Sequence, residues 1–274
     1  MNDDRAQRLW RTTAMTTDHT PAAATTTEGT VETPSRIVVM GGSSGIGEAT
    51  AALFAATGAE VTITGRSQSR LDEAAARIGG KTATHRMDAT SQEDIAAFFA
   101  SSGPINHLVI AVSGAAGSGP FTELDLTDLA TGFDAKFWPQ VRILQAALPR
   151  LDRPHGSVTL ITAASARAAF PGTSGLAAIN GALEAMIPPL AVELAPLRVN
   201  AVSPGVIDTP WWDRVPAAQR AELFDGLART TPAGRVGRAA DVAQAIHSLA
   251  TNGFITGVVL DCTGGANLAM GAGA

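Results

Sequence analysis

The stretch Ile37-Val38-Val39-Met40-Gly41-Gly42-Ser43-Ser44-Gly45-Ile46-Gly47-Glu48 decides the fold. Four consecutive apolar residues, Ile37 to Met40, read as a strand buried on both faces. A glycine-rich turn follows and opens a helix from Glu48 to Thr57, closed by Gly58. Gly41 permits a tight turn, Gly45 lets the backbone approach a pyrophosphate, and Gly47 lets helix and strand pack closely. Ser43, Ser44 and Ile46 complete the loop, and the helix start adds free N–H groups and positive potential. The spacing Gly-x-x-x-Gly-x-Gly differs from G-x-G-x-x-G, yet a strand before and a helix after it meet the same physical demand: a dinucleotide cradle.

Outward from this unit, β-branched runs alternate with alanine-rich helical stretches. Strands are expected at Val61–Thr64, Thr82–Met87, His107–Val112, Ser157–Thr162, Arg198–Val202 and Val258–Asp261. Helices are expected at Ser69–Ile78, from a Thr90/Glu93 capping box, at Phe133–Leu151, Leu176–Leu194, Pro216–Thr230 and Ala239–Ala250. Such alternation specifies an α/β fold, a doubly wound parallel sheet with helices on both faces. Residues 1–34 hold ten threonines and no apolar period, so they read as a disordered Thr/Ala-rich tail ahead of one domain over 35–274.

Composition narrows the function. Of 274 residues 45% are apolar and 16% charged, enough for a sizeable core. The net charge of −5 argues against nucleic acid or a polybasic membrane patch as partner. A lone cysteine, Cys262, excludes an intramolecular disulfide and a cysteine metal cluster, and the five histidines show no metal spacing. No secretory signal is read at the start and no apolar run is read as a membrane span, so the expected location is the cytoplasm. Tyrosine is absent altogether.

The second strand ends in Thr64-Gly65-Arg66-Ser67. A cofactor with a free ribose 2′-OH needs a carboxylate here, and none is present. Arg66 offers planar donors to a 2′-phosphate, with Ser67 and Ser43 nearby, which favours NADP(H).

Together with Asp88, Arg198-Val199-Asn200-Ala201-Val202-Ser203-Pro204-Gly205, Thr209, Gly234–Arg238 and Thr256-Gly257, the glycine loop makes the chain resemble the short-chain dehydrogenase/reductase family from Arg36 to Leu268. The resemblance implies a single Rossmann domain with a seven-stranded parallel sheet, a small-molecule substrate and a homotetramer or homodimer. It implies that Asp88, with Ala89 beside it, holds the adenine amino group. Pro204, Gly205, Ile207 and Thr209 would take the nicotinamide amide, and Ser113-Gly114 stand where the family has Asn-Asn-Ala-Gly after the fourth strand.

The family's catalytic residues do not carry over. Members use a Ser after the fifth strand, a Tyr-x-x-x-Lys on the next helix and an Asn on the preceding helix. Aligned on Asn180-Gly181-Ala182-Leu183-Glu184, the Lys position is Asn180, the Tyr position Leu176 and the Ser position Ala163. The Asn position is Lys136, so Asn and Lys stand exchanged. Lys136 is therefore expected to reach the same region from the neighbouring helix. There it either donates a proton to a developing alkoxide or holds the ribose hydroxyls. Thr162 and Ser165 are candidate hydroxyls for a substrate oxygen. Trp211-Trp212 lie in the segment that covers substrate in this fold, and either line an apolar pocket or anchor the lid.

Three functions fit these residues. The first is an NADP(H)-dependent oxidoreductase with a rearranged relay, reducing a carbonyl or activated alkene of an apolar substrate. The second is a redox-silent NADP(H)-binding relative. The third is a cyclase, isomerase or dehydratase on the same scaffold.

Overall fold

A computed structural model describes residues 34–269. The tail expected over 1–34 falls outside that range except for Pro34. One parallel sheet contains β1 (Arg36–Met40), β2 (Glu60–Gly65), β3 (Lys81–Arg86), β4 (His107–Ile110), β5 (Ser157–Ile161), β6 (Arg198–Pro204) and an edge strand, β9 (Val259–Cys262). Its order is β3-β2-β1-β4-β5-β6-β9, and two short strands, β7 (Ile207–Asp208) and β8 (Gly237–Arg238), pair only with each other. The helices are α1 (Gly45–Ala56), α2 (Gln68–Ile78), α3 (Gln92–Ser101), α4 (Leu126–Gly132), α5 (Trp138–Ala147), α6 (Ser174–Glu193), α7 (Ala217–Thr230), α8 (Ala239–Thr251) and α9 (Ala266–Ala269).

The pleat of β1 explains the two layers. Ile37 and Val39 face one core with Phe54 of α1, Leu71 of α2 and Ile246 of α8. Val38 and Met40 face the other, with Phe98 of α3, Ile143 of α5 and Leu183 and Ile187 of α6. Both faces of β1 are thus covered, which its unbroken apolar run requires. Edge strand β3, Lys81-Thr82-Ala83-Thr84-His85-Arg86, is polar and partly exposed.

Three local expectations are corrected. Helix α3 is capped one residue later than the Thr90/Glu93 spacing implies: Ser91 Oγ accepts from Asp94 N at 3.1 Å, while the Thr90 hydroxyl donates to Asp88. The single helix expected over Phe133–Leu151 is three pieces: a π-turn over Phe133–Phe137, α5, and a 3-10 turn over Leu148–Arg150. Asp125 caps α4 by accepting from Thr127 N, and a π-turn over Phe133–Phe137 then leads into α5. Pro139 gives the reason, since it has no N–H and its ring would crowd the Ala135 carbonyl four residues back. Finally, α6 is long and apolar enough to cross a membrane by length and composition. Its Gly175, Ile179, Asn180, Leu183, Glu184, Ile187 and Ala191 are nevertheless buried in the fold.

At the N-terminal end of β4, remote from the glycine turn, His107 lies beside Phe54, with Nδ1 2.9 Å from Ser157 Oγ. Burial, with Arg198 adding repulsion, pushes its pKa down to about 4. The native state therefore binds fewer protons than the unfolded chain as pH falls from about 6.5 to 4, and stability is lost across that window. The expected contribution is about 2–3 kcal/mol between pH 7 and 4.5. Urea unfolding at both pH values measures it, and His107→Asn should lose correspondingly less stability on acidification than the parent.

Candidate active site

The sheet order reverses between β1 and β4, and a cleft of about 860 Å³ opens at the C-terminal ends of the strands there. Gly41 N and Gly42 N both donate to Thr64 O, at 3.1 and 3.0 Å, which folds the turn back against β2. Gly41 has φ +81°, and a Cβ on it would come within 2.8 Å of the Ala111 carbonyl oxygen. A Cβ on Gly47 would overlap the Gly41 carbonyl. Side chains are thereby excluded at Gly41 and Gly47, and Ser43, Ser44, Gly45 and Ile46 line the cleft with the start of α1. A pyrophosphate fits this cradle: the floor is bare backbone at a helix N-terminus.

Along the same cleft lie Arg66, Ser67, Asp88 and Ala89. Ser67 also caps α2, its Oγ accepting weakly from Arg70 N at 3.4 Å. Arg70, which the sequence reading missed, lines the cleft from the first turn of α2, four residues after Arg66. Asp88 Oδ1 accepts from Thr90 N and Thr90 Oγ1, at 2.9 and 2.8 Å. Those bonds, helped by Arg66 and Arg86, hold its carboxyl below the usual carboxylate range. The second oxygen of Asp88 makes no hydrogen bond among the described residues. Ser113, Gly114, Pro204, Gly205, Ile207 and Thr209 line the cleft farther along.

Lys136 stands in the π-turn at the centre of the cleft and is only 8% exposed. Its Nζ donates to Asn180 Oδ1 at 2.7 Å and to Thr162 O at 3.1 Å. Burial lowers its pKa to about 8 against the opposing pull of Glu184. Asn180 Nδ2 in turn donates to Ser165 Oγ at 3.2 Å and to Leu176 O at 2.9 Å. The Thr162 hydroxyl is committed elsewhere, donating to Glu184 Oε1 at 2.8 Å, with Val202 O at 3.2 Å. Glu184 also pairs with Arg167 at 2.9 Å, and Arg167 reaches Asp261. Of the two candidate hydroxyls, Ser165 alone keeps its proton unassigned among the described residues. Ala163 and Leu176 line the cleft with apolar side chains.

The turn Pro210–Arg214 and the following α7 border the cleft. Trp211 and Trp212 both line the cleft, but they differ in role. Trp212 anchors this segment: its Nε1 donates to Ile207 O at 3.0 Å and its ring meets Phe224 edge-on. Trp211 is 37% exposed and carries Arg214 over its ring.

A family model described as Enoyl-(Acyl carrier protein) reductase matches residues 41–267. L-fucose dehydrogenase of Mus musculus is 31% identical over 246 residues, covering 86% of this chain and 89% of its own. The chain belongs to the short-chain dehydrogenase/reductase family. Gluconate 5-dehydrogenase of Gluconobacter oxydans (strain 621H) is 29% identical, covering 86% of this chain and 95% of its own. A solved small-chain dehydrogenase in complex with NADPH has a TM-score of 0.73 and 30% identity, covering 86% of this chain and 100% of its own.

The protein keeps the sheet of the short-chain dehydrogenase/reductases, a family that binds a nicotinamide cofactor. It brings Lys136 and Asn180 into direct contact from two helices. Besides Arg70, the sequence reading passed over Glu184, which stands four residues after Asn180 on the same helix face. It also passed over Arg214 and Arg235, whose place on the cleft depends on how the chain beyond Thr209 folds back. No periodicity announces the latter two.

Proposed function

We propose that this chain is an NADP(H)-dependent oxidoreductase on a branch of the family without Tyr-x-x-x-Lys, reducing a carbonyl or activated alkene. The observation that carries the proposal is Lys136: a buried ammonium in the cleft, held at 2.7 Å by the side chain at the family's Lys position. A buried cation without ion-pair partner costs several kcal/mol, and a site that needs a proton at neutral pH accounts for keeping it.

When bound, the reduced nicotinamide supplies a hydride. Gly41, Ser43, Ser44, Gly45, Ile46 and Gly47 would hold the pyrophosphate, Arg66 and Ser67 the 2′-phosphate, and Asp88 and Ala89 the adenine. Ser113, Gly114, Pro204, Gly205, Ile207 and Thr209 would bound the nicotinamide end. Two N–H groups of Lys136 are given to Asn180 Oδ1 and Thr162 O, leaving the third for a ligand oxygen. Asn180 fixes Ser165 Oγ as an acceptor, so the Ser165 proton is free to bond the same ligand oxygen. In reduction of a carbonyl, Lys136 then gives a proton to the oxygen as negative charge develops, and Ser165 stabilises it. In alcohol oxidation the neutral amine takes that proton back.

Apolar Ala163 and Leu176 support a second reading, a redox-silent NADP(H)-binding protein. The two separate on one experiment: titrate NADPH and NADH, then follow NADPH consumption with a panel of ketones, quinones and enones. Reduction of at least one panel member, with NADPH bound at least tenfold tighter than NADH, is the expected result. Tight NADPH binding with no oxidation across the panel supports the silent protein instead.

A further inference from the structure

We propose that Arg214 recognises an anion on the substrate, and that the substrate is an apolar molecule bearing a carboxylate. This rests on reading the cleft as a joint cofactor and substrate site. The charges that line the cleft are unbalanced: Arg66, Arg70, Lys136, Arg214 and Arg235 against the single acid Asp88. That imbalance stands in a chain whose net charge is −5. Arg66 and Arg70 lie near Asp88, at the end already assigned to the cofactor's 2′-phosphate and adenine. Arg235 is neutralised by a two-pronged pair with Asp241, at 2.7 and 2.8 Å. Arg214 is not neutralised. The adjacent carboxylate, Asp213, is taken by Arg220 at 2.7 Å, and no hydrogen bond or ion pair engages the Arg214 guanidinium among the described residues.

Its geometry suits a planar oxyanion. Cζ lies 3.3 Å from the centroid of the Trp211 ring, so the cation rests on the indole face. Stacking uses the flat side of the guanidinium and leaves the N–H donors at its rim, where a carboxylate bonds two at once. The stack also fixes the fork before any ligand arrives, which lowers the ordering cost of binding. Phe170, Leu176, Ile179, Val206, Trp212 and Leu227 line the same cleft and make its wall apolar. An apolar body with one anionic end satisfies both surfaces.

The test uses two probes of equal shape, 2-naphthoate and 2-naphthamide, titrated calorimetrically into the protein with and without NADPH. The naphthoate is expected to bind about tenfold or more tightly than the amide. Arg214→Gln is expected to abolish that preference and Arg214→Lys to keep part of it, while NADPH affinity stays within about twofold in both. Equal affinity for the two probes, or no measurable binding of naphthoate, overturns the proposal. So does a loss of NADPH affinity of about tenfold in Arg214→Gln, which would assign the anion to the cofactor's pyrophosphate. Because the readout is binding and includes cofactor-free protein, a failure of the redox reading leaves the outcome interpretable.

Discussion

Replacing Lys136 with methionine is expected to lower NADPH-dependent turnover by about 10²–10⁴-fold while NADPH affinity changes only a few-fold. Methionine fills the volume of the buried stem, so little of the effect comes from a cavity. What it removes is the ammonium that bonds Asn180 Oδ1 and Thr162 O. Losing those bonds costs about 1–3 kcal/mol of stability, partly offset because a buried charge disappears. Lys136→Arg separates charge from acidity. A guanidinium keeps the positive charge but holds its proton far too tightly to give it up, so turnover should remain low. Stopped-flow measurement of NADPH oxidation on a reducible panel substrate, beside a thermal melt of each variant, distinguishes loss of chemistry from loss of fold. Turnover that survives in Lys136→Met would leave the lysine as packing.

The second large effect belongs to Arg66→Glu. NADPH affinity should fall by about 100-fold or more, and NADH affinity should hold or rise. The reversal acts twice: it places a carboxylate against the 2′-phosphate, and it gives a free 2′-OH the acceptor that the end of β2 lacks. Arg70, in the first turn of α2, and Arg86, whose Nε donates to Arg66 O at 3.2 Å, keep the local potential positive. The cost should shrink as salt rises, because Arg66 is exposed and its field is screened. Fluorescence titration of both cofactors at two ionic strengths measures it. An unchanged preference for NADPH in the variant would refute the role of Arg66.

The sheet was legible because its central strands, such as β1, β4 and β5, are runs of residues that two-sided burial explains, and most strands are followed by a helix with its own punctuation. Strand ends differ from expectation by a residue or two, where turns and ladder bonds compete. The misreading of Phe133–Leu151 has one identifiable source. Asp125 carries a capping signal for α4, and Pro139 forbids a regular helix through Lys136, yet apolar spacing registers neither. That π-turn is also what holds Lys136 in the cleft, so the least regular stretch of backbone carries the central side chain. The proposed exchange of Lys and Asn comes from alignment of positions, and the structure adds the contact between Lys136 and Asn180. The commitment of Thr162 to Glu184 was not readable, because it depends on a neighbour 22 residues away, and the absence of a partner for Arg214 among the described residues was not, because it depends on Asp213 turning to Arg220.

The most direct test of Lys136 as the acid is the pH dependence of single-turnover NADPH oxidation by a carbonyl panel substrate. With its pKa lowered to about 8, Lys136 is protonated below that pH and neutral above it. The reduction rate should be flat through neutrality and then fall about tenfold per unit as pH rises past about 8. In the oxidative direction the slope should reverse, and Lys136→Met should abolish the dependence in both. A rate that stays level through that range, or one that falls equally in Lys136→Met, would contradict the assignment.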